Sequence, residues 1–244
     1  MNPIWKRKYI LRTSDFDKFN RIKPSAVLEL FQDAAGLHAE ELGVGFDSMS
    51  GSSQLWVLTR TKFKIITDPE NHQTVTVKTW PLKPGRLVHR RECRIEDENG
   101  NPIIVGSSEW VVINSESRRP ISAPELYSLG GDFCEDMMCE EKLTKVPDFE
   151  ETASAHAVNA GFSEIDTNNH VNNTKYANFV LDAISPSSED VLKSIQIDYR
   201  KEVLEGTQLN IYHKSEDGVV LAKGLNNSEE TMFACKLEYE REES

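Results

Sequence analysis

Positive charge is scarce in this chain. Its 28 Lys and Arg face 40 Asp and Glu, a net charge of −12, which argues against general nucleic-acid binding because that needs a basic face. Long apolar runs are missing as well. Nothing approaches the roughly 18 consecutive apolar residues that span a bilayer. The opening Met1-Asn2-Pro3-Ile4-Trp5-Lys6 lacks the apolar core and small-residue cleavage site of a secretory signal, so the expected location is the cytoplasm. Cysteine is sparse: Cys93, Cys134, Cys139 and Cys235 are too few and too scattered for a disulfide framework. Cys134 and Cys139 have no second Cys/His pair nearby to complete a zinc site, and reduced thiols are expected. No metal or cofactor is called for. The remaining composition, 38% hydrophobic and 28% charged, is that of an ordinary globular protein of one or two domains.

The chain opens with a strand pattern over residues 4–13, followed by a polar turn to Pro24, a residue suited to a first helical turn. From Ser25 to Leu42 the apolar residues Val27, Leu30, Phe31, Ala34, Ala35 and Leu37 recur at helical spacing, and Gly43 stops the run. Such a wide apolar stripe predicts a long helix lying across a sheet. Strand patterns then dominate at 55–66, 74–80, 87–96 and 103–114, with Glu98-Asn99-Gly100-Asn101 as a hairpin turn. One helix followed by an antiparallel meander is an α+β pattern rather than βαβ. Periodicity fades over 123–152, which reads as a linker crossing the surface.

The second half repeats the plan. A short strand at 153–159 precedes a polar loop and a helical pattern, and strands follow at 192–199, 207–213, 219–225 and 231–239, with Glu216-Asp217-Gly218 as a hairpin turn. Laying Ser14 on Ser163 without a gap places Asp15 on Glu164, Asp17 on Asp166, Asn20 on Asn169, Ile22 on Val171, Phe31 on Val180 and Ala34 on Ala183. Loop chemistry and helix face agree together, which favours duplication. The predicted domains are 1–122 and 153–244.

The copies differ where chemistry is expected. Asp166, Asn168 and His170 stand at alternate positions, and alternate side chains on an extended segment point the same way. Asn172 or Asn173 would cap the helix carrying Tyr176, Phe179, Val180, Ala183 and Ile184. A carboxylate, an amide and an imidazole at the mouth of a buried helix could polarise a carbonyl and activate a water. The first copy has Phe19 and Arg21 where Asn168 and His170 stand. Catalysis is therefore expected in the second half alone, leaving the first free to bind an apolar chain under its long helix.

The stretch Asp166-x-Asn168-x-His170-Val171-Asn172-Asn173-x-Lys175-Tyr176, with Tyr199-Arg200-Lys201-Glu202 downstream, resembles the acyl-acyl-carrier-protein thioesterases. The resemblance runs over essentially the whole chain. It implies a tandem (double) hot-dog fold, two antiparallel sheets each wrapping a long helix. It also implies hydrolysis of the thioester that joins a fatty acyl chain to acyl carrier protein. By position, Asp166, Asn168, His170 and Glu202 form the implied catalytic set. Glu202, oriented by Asn168, would hold or deprotonate a water, and His170 would donate to the carbonyl oxygen or leaving sulfur. Asp166 would orient the group or, alternatively, attack as a nucleophile. Plant members usually carry Cys after that Glu; this chain has Val203, so a Cys–His mechanism is not implied.

Leu30, Phe31 or Ala34 could floor an acyl groove under the first helix, with Trp56 and Trp80 as lining. An acidic carrier protein would need a local basic patch on this acidic chain, for which Lys83, Arg86, Arg90, Arg91, Arg118 and Arg119 are the densest candidates. An acyl-CoA thioesterase and a non-catalytic acyl-binding protein stay open as alternatives, as do monomer and homodimer.

Overall fold

The computed structural model describes residues 3–49, 51–123, 133–140, 142–150 and 155–241. The chain divides into two compact units, Met1–Ile22 with Glu29–Lys142, and Lys23–Leu28 with Leu143–Ser244. Among the described residues no helix is long and apolar enough to cross a membrane.

The first unit contains β1 (Trp5–Ile10), a 3₁₀ turn at Thr13–Asp15, most of α1 (Pro24–Glu41), β2 (Gln54–Ile65), β3 (Thr74–Pro81), β4 (Val88–Glu96) and β5 (Pro102–Asn114). Its strands run in the order β1-β3-β4-β5-β2, every neighbour antiparallel. Val75, Val77 and Thr79 are buried at alternate positions of β3, as a half-buried strand requires. Pro24 opens α1, and Gly43 closes it at φ 73°, with Val44 N–H donating to Ala39 O at 2.9 Å and Gly43 N–H to Glu40 O at 2.9 Å. Only a residue free to take positive φ closes a helix this way without strain.

The buried stripe of α1 is Val27, Phe31, Ala34 and His38. Phe31 meets Phe63 of β2 edge to face, ring centres 6.3 Å apart. It also occupies the space over Gly106, where a Cβ would come within 2.5 Å of its ring. His38 is an imidazole set into an apolar stripe. Its Nδ1 lies 3.0 Å from an Arg91 guanidinium nitrogen, which also donates to Thr79 Oγ1 at 3.2 Å. Burial, then the Arg91 charge, lowers the ring pKa to about 4.

Arg90 and Glu92 alternate with Arg91 and so lie on the sheet face turned away from α1. Glu92 is 0% exposed. It accepts from Arg90 at 2.6 Å, from Ser107 Oγ at 2.6 Å and from the Met138 N–H at 2.7 Å. Arg90 also donates to Ser107 Oγ and to the Glu140 carbonyl, and Trp80 Nε1 donates to the Asp136 carbonyl. Residues 133–140 are thereby strapped across this face. The first two residues of the strand predicted at 153–159 lie outside the described residues, as does part of the predicted linker, 124–132, 141 and 151–152. Its remainder is anchored rather than loose: in the second unit Val146 N–H donates to Asp198 at 2.9 Å and Gln196 Nε2 to the Thr144 carbonyl at 2.7 Å.

The second unit holds β6 (His156–Asn159), a 3₁₀ turn at Phe162–Glu164, α2 (Tyr176–Ile184), β7 (Asp190–Tyr199), β8 (Gln208–Glu216), β9 (Val219–Asn226) and β10 (Thr231–Arg241). Its strand order, β6-β8-β9-β10-β7, again all antiparallel, repeats that of the first unit strand for strand. The predicted hairpin at residues 216–218 takes Asp217 and Gly218 through positive φ.

Candidate active site

The loop that leads into each helix is built twice on one plan. In the first half Arg12 N–H donates to the Asp15 carboxylate, Asp17 N–H to Arg21 O, and Asn20 N–H to Asp17 O. In the second, Gly161 N–H donates to the Glu164 carboxylate, Asp166 N–H to His170 O, and Asn169 N–H to Asp166 O. Asn20 and Asn169 both sit at positive φ, 58° and 62°, a conformation Asn tolerates better than most residues. The bridges Phe16–Ile22 and Ile165–Val171 close the two turns.

This geometry corrects the alternation argument. Residues 166–169 form a tight turn, not an extended segment, so Asp166, Asn168 and His170 do not simply share a face. Asp166 Oδ1 accepts the Asn168 N–H at 2.8 Å, just as Asp17 Oδ1 accepts from Phe19 and Arg21 at 2.8 and 3.0 Å. Asn168 is exposed. The expected helix cap is also displaced. Lys175 precedes α2 without a side-chain cap. Asn172 instead accepts from the Thr174 N–H and hydroxyl, at 3.0 and 2.8 Å, and closes the turn one step earlier.

What the fold does bring together is His170 and Glu202. His170 Nε2 lies 3.1 Å from Glu202 Oε2, with the side chains 28% and 43% exposed. The pairing expected for Glu202 was with Asn168; the imidazole takes that place. The Val171 N–H donates to the Val203 carbonyl at 2.8 Å, tying the residue after His170 to the residue after Glu202. Val203 is fully buried, so its aliphatic side chain anchors the loop.

Behind the pair lies Tyr176, the first residue of α2 and only 3% exposed. Its ring meets Phe233, Tyr199 and Phe179 edge to face, at 5.0, 5.4 and 6.1 Å. Gly224 leaves the space that Phe233 occupies, since a Cβ there would come within 2.2 Å of the ring. The Tyr199 hydroxyl donates to the Asn173 carbonyl at 2.9 Å. Burial pushes the Tyr176 phenol up, the nearby Val203 backbone pulls it down, and the charges of Asp166 and Glu202 add to the rise.

In the first half, Phe31 and Ala34 are buried and Leu30 is half-buried, while Trp56 is half-buried with Nε1 donating to the Val44 carbonyl at 2.8 Å. Trp80 is buried on the strap side of β3, which removes it from any groove under α1. Lys83, Arg86, Arg118 and Arg119 are exposed, and the Ser122 hydroxyl donates to the Arg86 carbonyl. Arg90 leaves the basic patch because it is buried against Glu92, and Arg91 because it is turned to His38.

Two helix-and-sheet halves of identical strand order define an α+β protein of the hot-dog class. The chain matches the model of the acyl-ACP thioesterase N-terminal domain over residues 2–128 and that of the C-terminal domain over 149–243. It belongs to the acyl-ACP thioesterase family. Similar proteins include a palmitoyl-acyl carrier protein thioesterase, chloroplastic, of Arabidopsis thaliana, 28% identical over 82% of this chain and 52% of its own. Another is an acyl-[acyl-carrier-protein] hydrolase, chloroplastic, of Cuphea viscosissima, 25% identical over 91% and 61%. The chain thus spans about half to three fifths of these relatives' lengths. Among solved structures, an acyl-ACP thioesterase from Bacteroides thetaiotaomicron matches with TM-score 0.89 at 22% identity, covering 98% of both chains. A 12:0-ACP thioesterase from Umbellularia californica matches with TM-score 0.88 at 20% identity, covering 99% of both. These last two likenesses concern the fold.

Proposed function

We propose that the protein hydrolyses the thioester between a fatty acyl chain and acyl carrier protein, releasing the free fatty acid and ending chain elongation. The observation that carries this reading is the His170–Glu202 contact at 3.1 Å, in a chain whose family is that of the acyl-ACP thioesterases. A thioester is already electrophilic, so the protein needs chiefly a base for water and an acid for the leaving group. Glu202 takes a proton from the attacking water as the new C–O bond forms. His170 gives a proton to the departing sulfur as the C–S bond breaks. The proton on Glu202 then passes to His170 and restores the pair. Asp166 orients the turn that carries His170, in the manner of Asp17, and Asn168 stands exposed at the rim to donate to the developing oxyanion.

In this reading the protein is a double hot-dog. Residues 1–122 hold the acyl chain under α1 against Leu30, Phe31, Ala34 and Trp56, and residues 153–244 carry the chemistry. Lys83, Arg86, Arg118 and Arg119 would receive the acidic carrier protein. The setting is the cytoplasm in our reading, whereas the plant relatives are named chloroplastic. Thiol release from a panel of acyl-carrier-protein and acyl-CoA thioesters tests it, with Asp166→Ala and Glu202→Ala alongside. Rapid release from carrier-protein esters, lost in Glu202→Ala, is expected. Release from CoA esters alone would move the substrate to CoA, and binding of acyl chains without release would leave a non-catalytic binder.

A further inference from the structure

The segments around His170 and Glu202 close into a ring of backbone bonds. The Ala160 carbonyl accepts the Gly206 N–H at 2.8 Å, and the Ala160 N–H donates to Thr207 O at 2.9 Å. The Glu164 carbonyl accepts the Asn172 N–H, and the Val203 carbonyl the Val171 N–H, each at 2.8 Å. Residues 160–164, 171–172 and 203–206 are therefore pinned to one another at their ends. Phe162 lies on the first segment between the anchors at 160 and 164, and Leu204 on the third between those at 203 and 206. The frame that carries His170 and Glu202 carries these two residues as well.

Both are apolar, and both are open to solvent. Phe162 is 83% exposed, the most of any large apolar side chain among the described residues, and Leu204 is 54% exposed. Apolar residues scattered singly over a surface need no explanation, but a pair beside a site marks a surface that is covered in use. The first half shows that the fold does not require them. Leu11 N–H donates to Gln73 O as Ala160 N–H does to Thr207 O, and Gln73 N–H to Glu70 O as Thr207 N–H does to Leu204 O. These bonds set Thr13 opposite Phe162 and Glu70 opposite Leu204, both exposed. The half with Arg21 in place of the imidazole is polar at both positions; the half with His170 is apolar at both.

The charge around the pair narrows what covers it. Every charged side chain on residues 161–166 and 202–206 is acidic: Glu164, Asp166, Glu202 and Glu205. Of the two cations just upstream, Lys201 is paired with Glu230, which leaves Arg200 against four carboxylates. An acidic protein surface, an anionic headgroup or the phosphates of CoA would meet like charge here. An uncharged, partly apolar segment would not. Leu204 follows Glu202 by two residues, so their Cα atoms are at most about 7 Å apart, and whatever rests on Leu204 lies close to the reacting sulfur. In a carrier-protein thioester the outward neighbour of that sulfur is the pantetheine arm, an uncharged chain of two amides that ends in a dimethyl-bearing carbon.

We propose that Phe162 and Leu204 form an apolar rim that takes the pantetheine arm of the carrier-protein thioester beside the His170–Glu202 pair. The rim binds the arm equally in the ground state and the transition state, so it sets KM rather than kcat.

This inference rests on the hydrolase reading above, and its test keeps the two apart. Phe162→Thr installs the residue that the first half tolerates at the same place, and Leu204→Ala trims an exposed side chain, so both variants should fold. Thiol release is measured on the acyl-carrier-protein ester, on acyl-pantetheine, on acyl-CoA and on the acyl N-acetylcysteamine ester, which keeps the sulfur and first amide but lacks the dimethyl carbon. Each variant should raise KM about 10-fold on the carrier-protein and pantetheine esters, the weight of one partly buried apolar side chain. The kcat on these esters should stay unchanged, as should kcat/KM on the N-acetylcysteamine ester. An equal loss on the truncated ester would mean that the pair acts on the site itself, and no change on any ester would mean that it touches nothing; either overturns the proposal. So does a loss on the carrier-protein ester alone, which would assign the rim to the carrier's body, or on the CoA ester alone, which would assign it to CoA. Wild-type dimers that dissociate in the variants would show a second copy covering the pair, and overturn it too. Wild-type protein that releases no thiol from any ester overturns the hydrolase reading and the rim with it, and is recognised before any variant is compared.

Discussion

His38 gives the first unit an acid sensitivity whose size follows from its surroundings. The ring is 2% exposed, beside the Arg91 guanidinium, and its pKa is lowered to about 4, chiefly by burial. In the unfolded chain the same ring titrates near its ordinary value of 6.5. Above pH 6.5 both states are neutral and the group contributes nothing to pH dependence. Below 6.5 the unfolded chain takes up a proton that the folded one refuses, so stability falls by about 1.4 kcal/mol per pH unit. The fall ends near pH 4, where the folded ring also protonates, for a ceiling of about 3.4 kcal/mol. At pH 5 the loss is about 2 kcal/mol, and partial solvation of the ring edge brings this to about 1–2. His38→Gln retains an acceptor for Arg91 and does not titrate. Urea unfolding of both proteins at pH 7.5 and 5.0 isolates the term, because every other titrating group is common to the two. His89, also lowered by burial, cancels in the comparison, and Cys93, raised to about 12, is silent in this range. The wild type should lose about 1–2 kcal/mol more than the variant between these pH values. Equal losses would mean that the folded protein accepts the proton as readily as the unfolded chain, and would refute the argument.

Four further outcomes are expected. Glu92→Gln leaves the Arg90 guanidinium buried without its counter-charge and should cost about 3–5 kcal/mol in urea unfolding, with 133–140 becoming the first segment cut by protease. Gly106→Ala drives a methyl into the Phe31 ring and the Lys62 carbonyl and should cost about 1–3 kcal/mol in the same assay. Asp17→Ala removes two backbone bonds from an exposed turn, for a loss of about 1 kcal/mol, and should leave thiol release unchanged. Asp166→Asn keeps the turn's acceptor; if Asp166 orients, it should retain most of kcat, whereas a collapse of single-turnover release would mark Asp166 as a nucleophile.

The secondary structure was largely legible in the sequence because its signals are periodic. Alternation over 74–80 found β3, and the apolar spacing from Val27 to Leu42 found α1. Turn chemistry at Asn99-Gly100 and Asp217-Gly218 found two hairpins. The site was legible only in part. Asp166 and His170 stood out because an acid and an imidazole adjoin a helix, but Glu202 was reached through the family resemblance, since a carboxylate on an irregular loop carries no local signal. The supposed convergence of Asp166, Asn168 and His170 failed because Asn169 at φ 62° turns the chain. The strap over β3 and β4 went unseen for a related reason. Its bonds run from backbone groups of Asp136, Met138 and Glu140 to side chains of Trp80, Arg90 and Glu92, and backbone groups are the same in every sequence.

The twin turns also bear on how sites of this kind are recognised. Asp17 makes the bonds of Asp166 in a half with neither the imidazole nor the phenol, so an aspartate at that position signals a loop shape rather than an activity. A search keyed to the acid would count two sites in this chain. One that demands the histidine as well counts one, because the first half has Arg21 there. By that standard, relatives that keep the acid but lack the histidine are the ones to assay for binding without turnover.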